Sequence, residues 1–351
     1  MIAHKKIYSL TNFIIVFTSC ILFINCNNKH RPRNIERSFY YWKSVLNLND
    51  FEKEQVTSLK VKTIFLRFFD VDWDEVSNGA LPKAPVKIID TAYFNTQQIK
   101  IIPVVFITNE CLQKVDSTQI TSLANKIISL LKSSYNISFS QQKLNEIQID
   151  CDWSATTKQK YFSLLSVIKK SGITTLSVTI RLHQIKYLKI TGIPPADRGL
   201  LMCYNMGNLI NASTKNSIIE VEELKKYINN LAAYPLPLDI GLPLFDWYVL
   251  FRNDKFKGLI KTLNTNNLST KKIDTNHFFI LKDTVINKIN FKKGDILRQE
   301  ESKYETILNT GKLLNEKLST GSIRISYFHL DSVTLKKYPT NELENIYNSM
   351  R

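Results

Sequence analysis

Two aspartates, Asp150 and Asp152, carry the clearest chemical signal in this sequence. Residues 147–152 alternate apolar and polar side chains in the order Ile, Gln, Ile, Asp, Cys, Asp, which is the period of a strand with two different faces. Both carboxylates therefore share one face near the end of the strand. Two buried carboxylates need cationic or hydrogen-bonding partners, or one of them acquires a raised pKa. The pair is either an acid–base or ligand-orienting site, or a structural pair held by Arg or Tyr.

The elements around this strand predict a (β/α)8 TIM barrel. Eight strand-like segments are mostly separated by helical ones, which favours a parallel sheet. The main rival is a doubly wound open sheet. Polar or aromatic residues follow nearly every strand: Tyr41 and Trp42, Asp70 and Asp72, Asn109 and Glu110, Asp150 and Asp152, Arg181 and His183, Tyr204 and Asn205, Asp246 and Trp247, His329 and Asp331. In a barrel these ends converge on the face that carries active sites. An irregular insertion, at about 252–294, is expected before the last helix and strand.

Several of these strand-end residues are candidates for substrate binding. They are Asp70, Asp72, Trp153, Arg181, His183, Asn205, Asp246 and Trp247. Arg181 and His183 lie two apart, so on one strand they share a face, either neutralising the acids or contacting a ligand. The tryptophans are either stacking platforms for a sugar or packing residues of the rim. The alternating acids that begin at Asp70 do not continue as a calcium loop, because Glu75 and Leu81 stand where Gly and Glu are required. We predict no metal and no cofactor.

Three short motifs resemble the chitinase-like family 18 glycoside hydrolases. Residues 147–154 resemble the fourth-strand signature D-x-x-D-x-D-x-E, with Asp150 and Asp152 at its second and third acids. Residues 201–206 resemble the sixth-strand M-x-Y-[DN]-M, and residues 241–245 resemble a seventh-strand G-x-P run. Their order and spacing agree with that barrel. The chain looks closer still to uncharacterised exported bacterial TIM-barrel lipoproteins that share such an Asp pair.

The resemblance implies a glycan as ligand, but the sequence departs from the family at two acids. The first acid of the signature falls on Ile147 and the catalytic Glu falls on Ser154, which cannot act as a general acid near neutral pH. We therefore expect Asp152 to be the acid, Asp150 to be its pKa partner and Tyr204 to orient the substrate. The alternative, favoured by Ser154, is a non-catalytic surface lipoprotein that binds a glycan or a partner protein.

The first residues have the pattern of a secretory leader. Lys5 and Lys6 precede an apolar stretch over residues 7–24, and polar residues follow directly. A Cys at the end of such a leader resembles the lipid-bearing residue of bacterial lipoproteins. We predict that Cys26 carries the lipid, with Cys20 as competitor and an uncleaved membrane anchor as the alternative. The predicted layout is leader 1–26, linker 27–37 and barrel 38–351, in a protein anchored to the membrane of the bacterial cell envelope.

Charge and cysteine content narrow the function further. The formal net charge is +16, which favours contact with nucleic acid, anionic glycans or membranes. Because no run of five basic residues occurs, we interpret the charge as scattered surface lysines and predict no nucleic-acid partner. Three cysteines lie beyond the leader without CxxC spacing, so neither a disulfide framework nor a zinc site is predicted. The sequence also lacks a Walker loop, a GxSxG elbow and an HExxH motif.

Overall fold

The computed structural model describes residues 33–319 and 321–351. The predicted leader, with Cys26 and Cys20, lies outside the described residues, as does most of the predicted linker. In chain order the strands are β1 (Ile35–Tyr41), β2 (Val45–Leu46), β3 (Thr63–Asp74), β4 (Gly79–Lys83), β5 (Lys87–Ile88), β6 (Lys100–Ile107), β7 (Glu146–Cys151), β8 (Thr175–Arg181), β9 (Arg198–Met202), β10 (Leu238–Pro243), β11 (Asp246–Arg252), β12 (Lys255–Ile260), β13 (Thr270–Lys272), β14 (His277–Ile280), β15 (Thr284–Ile286), β16 (Ile289–Phe291), β17 (Ile296–Glu301) and β18 (Ile323–Phe328).

The α-helices lie mainly between these strands. They are α1 (Asp50–Ser58), α2 (Ala92–Thr96), α3 (Asn109–Lys114), α4 (Ile120–Ser138), α5 (Lys158–Lys169), α6 (Leu182–Lys186), α7 (Leu188–Thr191), α8 (Val221–Lys225), α9 (Tyr304–Lys317), α10 (Ser332–Leu335) and α11 (Thr340–Asn348). Among the residues that the structure describes, no helix is both long enough and apolar enough to cross a membrane.

Eight parallel strands close into a barrel, as predicted. Their order is β1, β3, β6, β7, β8, β9, β10 and β18, and β18 pairs back to β1. The first strand begins at Ile35, inside the predicted linker, because its first three residues already pair with residues 323–325 of β18. An antiparallel hairpin of β3 and β4 extends beyond the barrel at the C-terminal end of β3.

Strand β7 shows how the sequence divides between the two faces of the barrel. Its apolar residues Ile147, Ile149 and Cys151 are at most 1% exposed and belong to the core between the strands and the helices. Its polar residues alternate with them and lie on the inner face, where the Tyr40 hydroxyl donates a hydrogen bond to Gln148. The period-2 pattern therefore directs both aspartates into the barrel.

Five charged side chains form a network at the N-terminal end of the barrel. Arg324 donates to both carboxylate oxygens of Glu146, at 2.7 and 2.8 Å, and its Nε donates to Asp239 at 2.9 Å. Lys100 adds an ion pair to Glu146, and Arg198 adds one to Asp239. Glu146, Asp239 and Arg324 are at most 5% exposed. Because each buried carboxylate has two cationic partners, its desolvation is offset inside the barrel.

The insertion is a regular sheet, which corrects the prediction of an irregular stretch at 252–294. Residues 246–301 contain a five-stranded antiparallel sheet in the order β12, β11, β17, β14, β13, and a separate hairpin of β15 and β16. Its own core includes Ile280, Phe291 and Leu297. Strands β13, β15 and β16 have only three residues each, so their alternation was too short to stand out from the surrounding lysines.

Candidate active site

Asp150 lies on the inner face of β7, near the C-terminal end of the barrel. The Thr179 hydroxyl on neighbouring β8 donates a 2.7 Å hydrogen bond to its Oδ1. Burial raises the pKa of Asp150 to about 7, and the negative charges of Asp152 and Asp70 act in the same direction. The Thr179 hydrogen bond and the Arg181 charge oppose this shift but are outweighed. Asp150 thus exchanges a proton near neutral pH, as a general acid or base must.

Asp152 has a different environment, because two nitrogens of Arg181 contact its two carboxylate oxygens. Arg181 Nε lies 2.5 Å from Asp152 Oδ1, and Arg181 Nη2 lies 2.6 Å from Oδ2. Such a two-nitrogen contact fixes the orientation of the carboxylate. Both side chains remain about 40% exposed, at 38% for Arg181 and 43% for Asp152. Two carboxylates whose environments differ in this way are suited to different roles.

Asp70 is the third carboxylate near the pair. Arg67, three residues earlier on β3, binds both of its oxygens, with Nε 2.7 Å from Oδ1. The guanidinium of Arg67 also lies 6.0 Å from the ring centre of Trp42. Since the charge of Asp70 contributes to the raised pKa of Asp150, these groups belong to one electrostatic cluster inside the barrel mouth.

The other two predicted acids have partners of their own. Asp72 accepts a 2.7 Å hydrogen bond from Thr108, the main cause of a lowered pKa for this carboxyl. Asp246 begins β11 of the insertion and forms a 2.6 Å ion pair with Lys337. Each of these two acids is therefore held by contacts at a different part of the rim from Asp150.

A small groove beside Arg181 is lined by four of the predicted site residues. Its volume is about 70 Å³, which is space for only part of a sugar ring. Its lining residues are Arg181, Leu182, His183, Met202, Tyr204, Asn205, Met206 and Tyr227. His183 is exposed and lies in α6, because β8 ends at Arg181 and the helix begins at the next residue. The prediction that His183 shares a strand face with Arg181 is thus wrong, although both residues line the groove.

Tyr204 lies between this groove and the acids. Its side chain is 9% exposed. Burial, together with the negative charges of Asp150 and Asp152, raises the pKa of Tyr204, so its phenol is a hydrogen-bond donor at neutral pH. Gly241 on β10 leaves room for this ring, because a Cβ there would lie 3.3 Å from Tyr204 Cε1. This close approach gives the glycine of the G-x-P motif a physical reason.

Aromatic side chains line the barrel mouth in a continuous row of four, the aromatic row: Trp42, Phe328, Phe245 and Trp247. Consecutive ring centres are 5.8, 5.8 and 5.1 Å apart. Tyr204 contacts the two central rings at 5.6 and 6.0 Å. All four members are partly exposed. Aromatic faces at the edge of a polar site are suited to bind the apolar faces of a flat ligand.

Trp153 does not belong to this rim. Its side chain is 3% exposed, and its ring stacks on Tyr161 and meets Phe162 edge to face, both on helix α5. It is therefore a core residue between the barrel and its helices. The prediction that Trp153 binds substrate is wrong, because the residue continues the outward-facing register of Ile149 and Cys151.

Ser154, the residue at which the sequence resemblance implies a catalytic Glu, lies in a turn. Its hydroxyl lies 2.8 Å from the Thr156 hydroxyl and 3.2 Å from that of Thr157. Its backbone N–H donates to Thr157 Oγ1 at 2.9 Å, and the same hydroxyl donates to Asn109 at 2.6 Å. These contacts form the connection into helix α5 and add no ionisable group to the site.

Sequence reasoning missed three residues that the structure brings to the site: Thr179, Phe245 and Phe328. Trp42 was expected at this end of the barrel as a strand-end aromatic residue. Thr179 was within reach of the sequence, since it precedes Arg181 by two residues on the same strand and must share its face. The row depends on which strands are neighbours in the closed barrel, and local sequence spacing does not contain that information.

Solved structures provide the comparison with known proteins. No protein-family model matches this sequence, and no curated protein matches it. The spore cortex-lytic enzyme SleL of Bacillus cereus aligns over 91% of this chain and 75% of its own, with a TM-score of 0.55 and 14% identity. SleL of Bacillus megaterium QM B1551 aligns over the same shares, with a TM-score of 0.53 and 13% identity. A chitinase from Chromobacterium violaceum aligns over 90% of this chain and 97% of its own, with a TM-score of 0.48 and 10% identity. At these identities the two SleL likenesses show a shared fold, and they confirm that this chain is a TIM barrel.

Proposed function

We propose that this protein binds a glycan at the C-terminal face of its barrel. The observation that carries the proposal is the aromatic row, which passes beside the acids and Tyr204. The row offers stacking faces, while Asp152, Arg181 and Tyr204 offer charged and neutral groups for hydroxyls or amides. Alternation of apolar and polar surface matches the chemistry of a sugar ring. The likeness to SleL, described as a spore cortex-lytic enzyme, supports a cell-wall glycan as the ligand class.

The first test is binding by variants of the aromatic row. We expect Trp42→Ala to weaken binding of chitotetraose or of purified peptidoglycan fragments about tenfold, because a lost aromatic contact is worth about 0.5–1.5 kcal/mol beyond its area. Titration calorimetry measures the affinity. Trp73→Ala is the matched control, because Trp73 lies on the opposite face of β3 from Asp70 and Asp72. Equal affinities for both variants and the wild type contradict a role for the row.

A second candidate function, glycan hydrolysis, is favoured by the raised pKa of Asp150. The proposed roles differ from those expected from the sequence: Asp150 is the acid–base group, and Asp152, held by Arg181, is the charged partner that orients substrate. Tyr204 keeps its predicted role as a donor to the substrate. Release of reducing ends from glycans that the wild-type protein binds is the deciding measurement. If the protein binds these glycans but releases no reducing ends, the non-catalytic lipoprotein is the remaining function. The hydroxyl of Ser154, where a carboxyl is implied by the resemblance, favours that function.

We further propose that the protein is exported and anchored to the bacterial envelope through a lipid on Cys26. The leader pattern over residues 1–26 supports this proposal. We expect a metabolically incorporated fatty acid to label the wild type and the Cys20→Ser variant, and to be absent from Cys26→Ser. Gel fluorography of the immunoprecipitated protein measures the label. Loss of the label in Cys20→Ser, with the label retained in Cys26→Ser, assigns the lipid anchor to Cys20 and contradicts this proposal.

A further inference from the structure

A buried charge pair connects the insertion to the loop that follows β9. Arg298 and Glu300 lie on β17, are at most 1% exposed, and approach within 2.7 Å between Arg298 Nε and Glu300 Oε1. The guanidinium of Arg298 is directed at backbone carbonyls of the loop: Nη1 donates to Asn211 at 2.6 Å and Nη2 donates to Leu209 at 3.0 Å. An arginine of the insertion therefore supplies hydrogen bonds that this loop cannot make for itself.

The other oxygen of Glu300 holds two groups that belong to different parts of the rim. Glu300 Oε2 accepts a 2.6 Å hydrogen bond from Trp247 Nε1, at the end of the aromatic row. The same oxygen accepts a hydrogen bond from the hydroxyl of Ser217, which is 1% exposed. Ser217 in turn closes the loop, because its carbonyl accepts from the Gly207 N–H at 3.1 Å. A Cβ at Gly207 would lie 2.9 Å from Ser217 Cα, so only glycine allows this approach.

Stability of the insertion alone does not require a buried charge pair with these contacts. Removing two charges from water is costly, and well-packed apolar residues commonly stabilise as well or better. Here the charges instead satisfy backbone carbonyls, a serine hydroxyl and an indole N–H, each of which would be costly to bury unpaired. The loop they hold carries Asn205 and Met206, which line the groove beside Arg181.

We propose that Arg298 and Glu300 are positioning residues, which fix Trp247, at the end of the aromatic row, and residues 205–217, beside the groove near Arg181, in the geometry that binds the glycan. The expected effect on glycan affinity rests on the proposed glycan-binding function, whereas the effect on the order of residues 205–217 does not require a ligand. In this arrangement the insertion sets the shape of the groove through one charge pair. The hydrogen bond to Trp247 Nε1 also restrains rotation of the indole, which reduces the entropy lost when a ligand stacks on it.

The first arm of the test needs no ligand. Hydrogen–deuterium exchange of residues 205–217 is measured in the wild type, in Glu300→Gln and in Arg298→Met, where we expect at least tenfold faster exchange. Asp295→Asn is the matched control: Asp295 is 1% exposed in the same insertion and forms an ion pair with Arg252 at 2.7 Å. If the pair only stabilises the insertion, Asp295→Asn accelerates exchange in this loop equally, and that result overturns the proposal.

The second arm measures the affinity for chitotetraose. We expect Glu300→Gln to weaken binding about tenfold and Asp295→Asn to change it less than twofold. Ser217→Ala removes a single hydroxyl and keeps the proposal testable if a charge variant fails to fold. For this variant we expect a smaller acceleration of hydrogen–deuterium exchange and a threefold loss of affinity. Unchanged exchange and affinity in Glu300→Gln and Ser217→Ala overturn the positioning role. A wild type that binds no glycan refutes the proposed function, while the exchange arm still decides the role of the pair.

Discussion

Asp150→Asn is expected to stabilise the protein by about 4 kcal/mol at pH 8 and to leave its stability unchanged at pH 4. The pKa of Asp150 is raised from 3.8 to about 7, and each unit corresponds to about 1.4 kcal/mol. Between these two values the unfolded chain ionises this carboxyl while the folded protein resists ionisation. The stability of the wild type is therefore fully present below the lower pKa and falls as the pH rises through about 7. Asparagine does not titrate, and its Oδ1 can still accept from Thr179.

Chemical denaturation of both proteins at pH 4, 6 and 8 measures this difference. Asp152→Asn is the control, because it changes a neighbouring carboxyl whose partner is the partly exposed Arg181. There we expect a loss of at most about 1 kcal/mol, as for exposed ion pairs, and no gain at high pH. A stability difference between Asp150→Asn and the wild type that does not vary with pH contradicts the raised pKa.

The same substitution has the opposite effect on the hydrolysis proposed as the second function. Removal of a general acid lowers a rate by about 100-fold or more, so Asp150→Asn is expected to be the more stable and the less active protein. For the wild type, the rate is expected to fall above pH 7, where Asp150 loses its proton. A site that destabilises its own fold in this way is typical of a carboxyl kept for function.

The sequence predicts the barrel and the position of the acids because both follow from local periodicity. The alternation over residues 147–152 places Asp150 and Asp152 on the inner face, and the same alternation, continued by one residue, places Trp153 on the outer face with Cys151. The expectation that Trp153 binds substrate came from its position after a strand and disregarded this register. A strict use of the period would have placed it in the core.

The contacts between elements could not be predicted from the sequence. Arg181 was expected near the acids, but its choice of Asp152 depends on the relative height of β7 and β8 in the closed sheet. That choice leaves Asp150 with Thr179 and decides which carboxyl has the raised pKa. His183 was misplaced because the start of α6 at Leu182 has no sequence signal stronger than the apolar run before it. Arg298 and Glu300 lie on β17, and their partners Trp247, Ser217, Leu209 and Asn211 come from other elements that only the folded chain brings together.

Arg324→Met is expected to cost about 3–5 kcal/mol at pH 7, because it leaves buried carboxylates at the N-terminal end of the barrel without their shared partner. Glu146 and Asp239 are 4% and 1% exposed, and Arg324 is bound to both. Lys225→Met is the control, since Lys225 pairs with Glu222 on the surface, where both side chains are more than half exposed. There we expect less than about 0.5 kcal/mol. Urea denaturation measures both values.

The pH dependence of this cost separates lost charge pairing from lost packing. In the wild type, burial alone would raise the pKa of Glu146, but the hydrogen bonds and charge of Arg324 outweigh it and the pKa is lowered. The stability from this pairing is present above the unfolded pKa and is lost as the pH falls through the lower folded value. In Arg324→Met, Glu146 keeps only Lys100 as a cationic partner and can lose its charge by taking a proton. The cost of the substitution should therefore shrink from pH 7 to pH 4. A cost that stays constant over this range would mean that the packing of the Arg324 side chain, whose guanidinium lies 5.2 Å from the ring centre of Phe65, matters more than its charge.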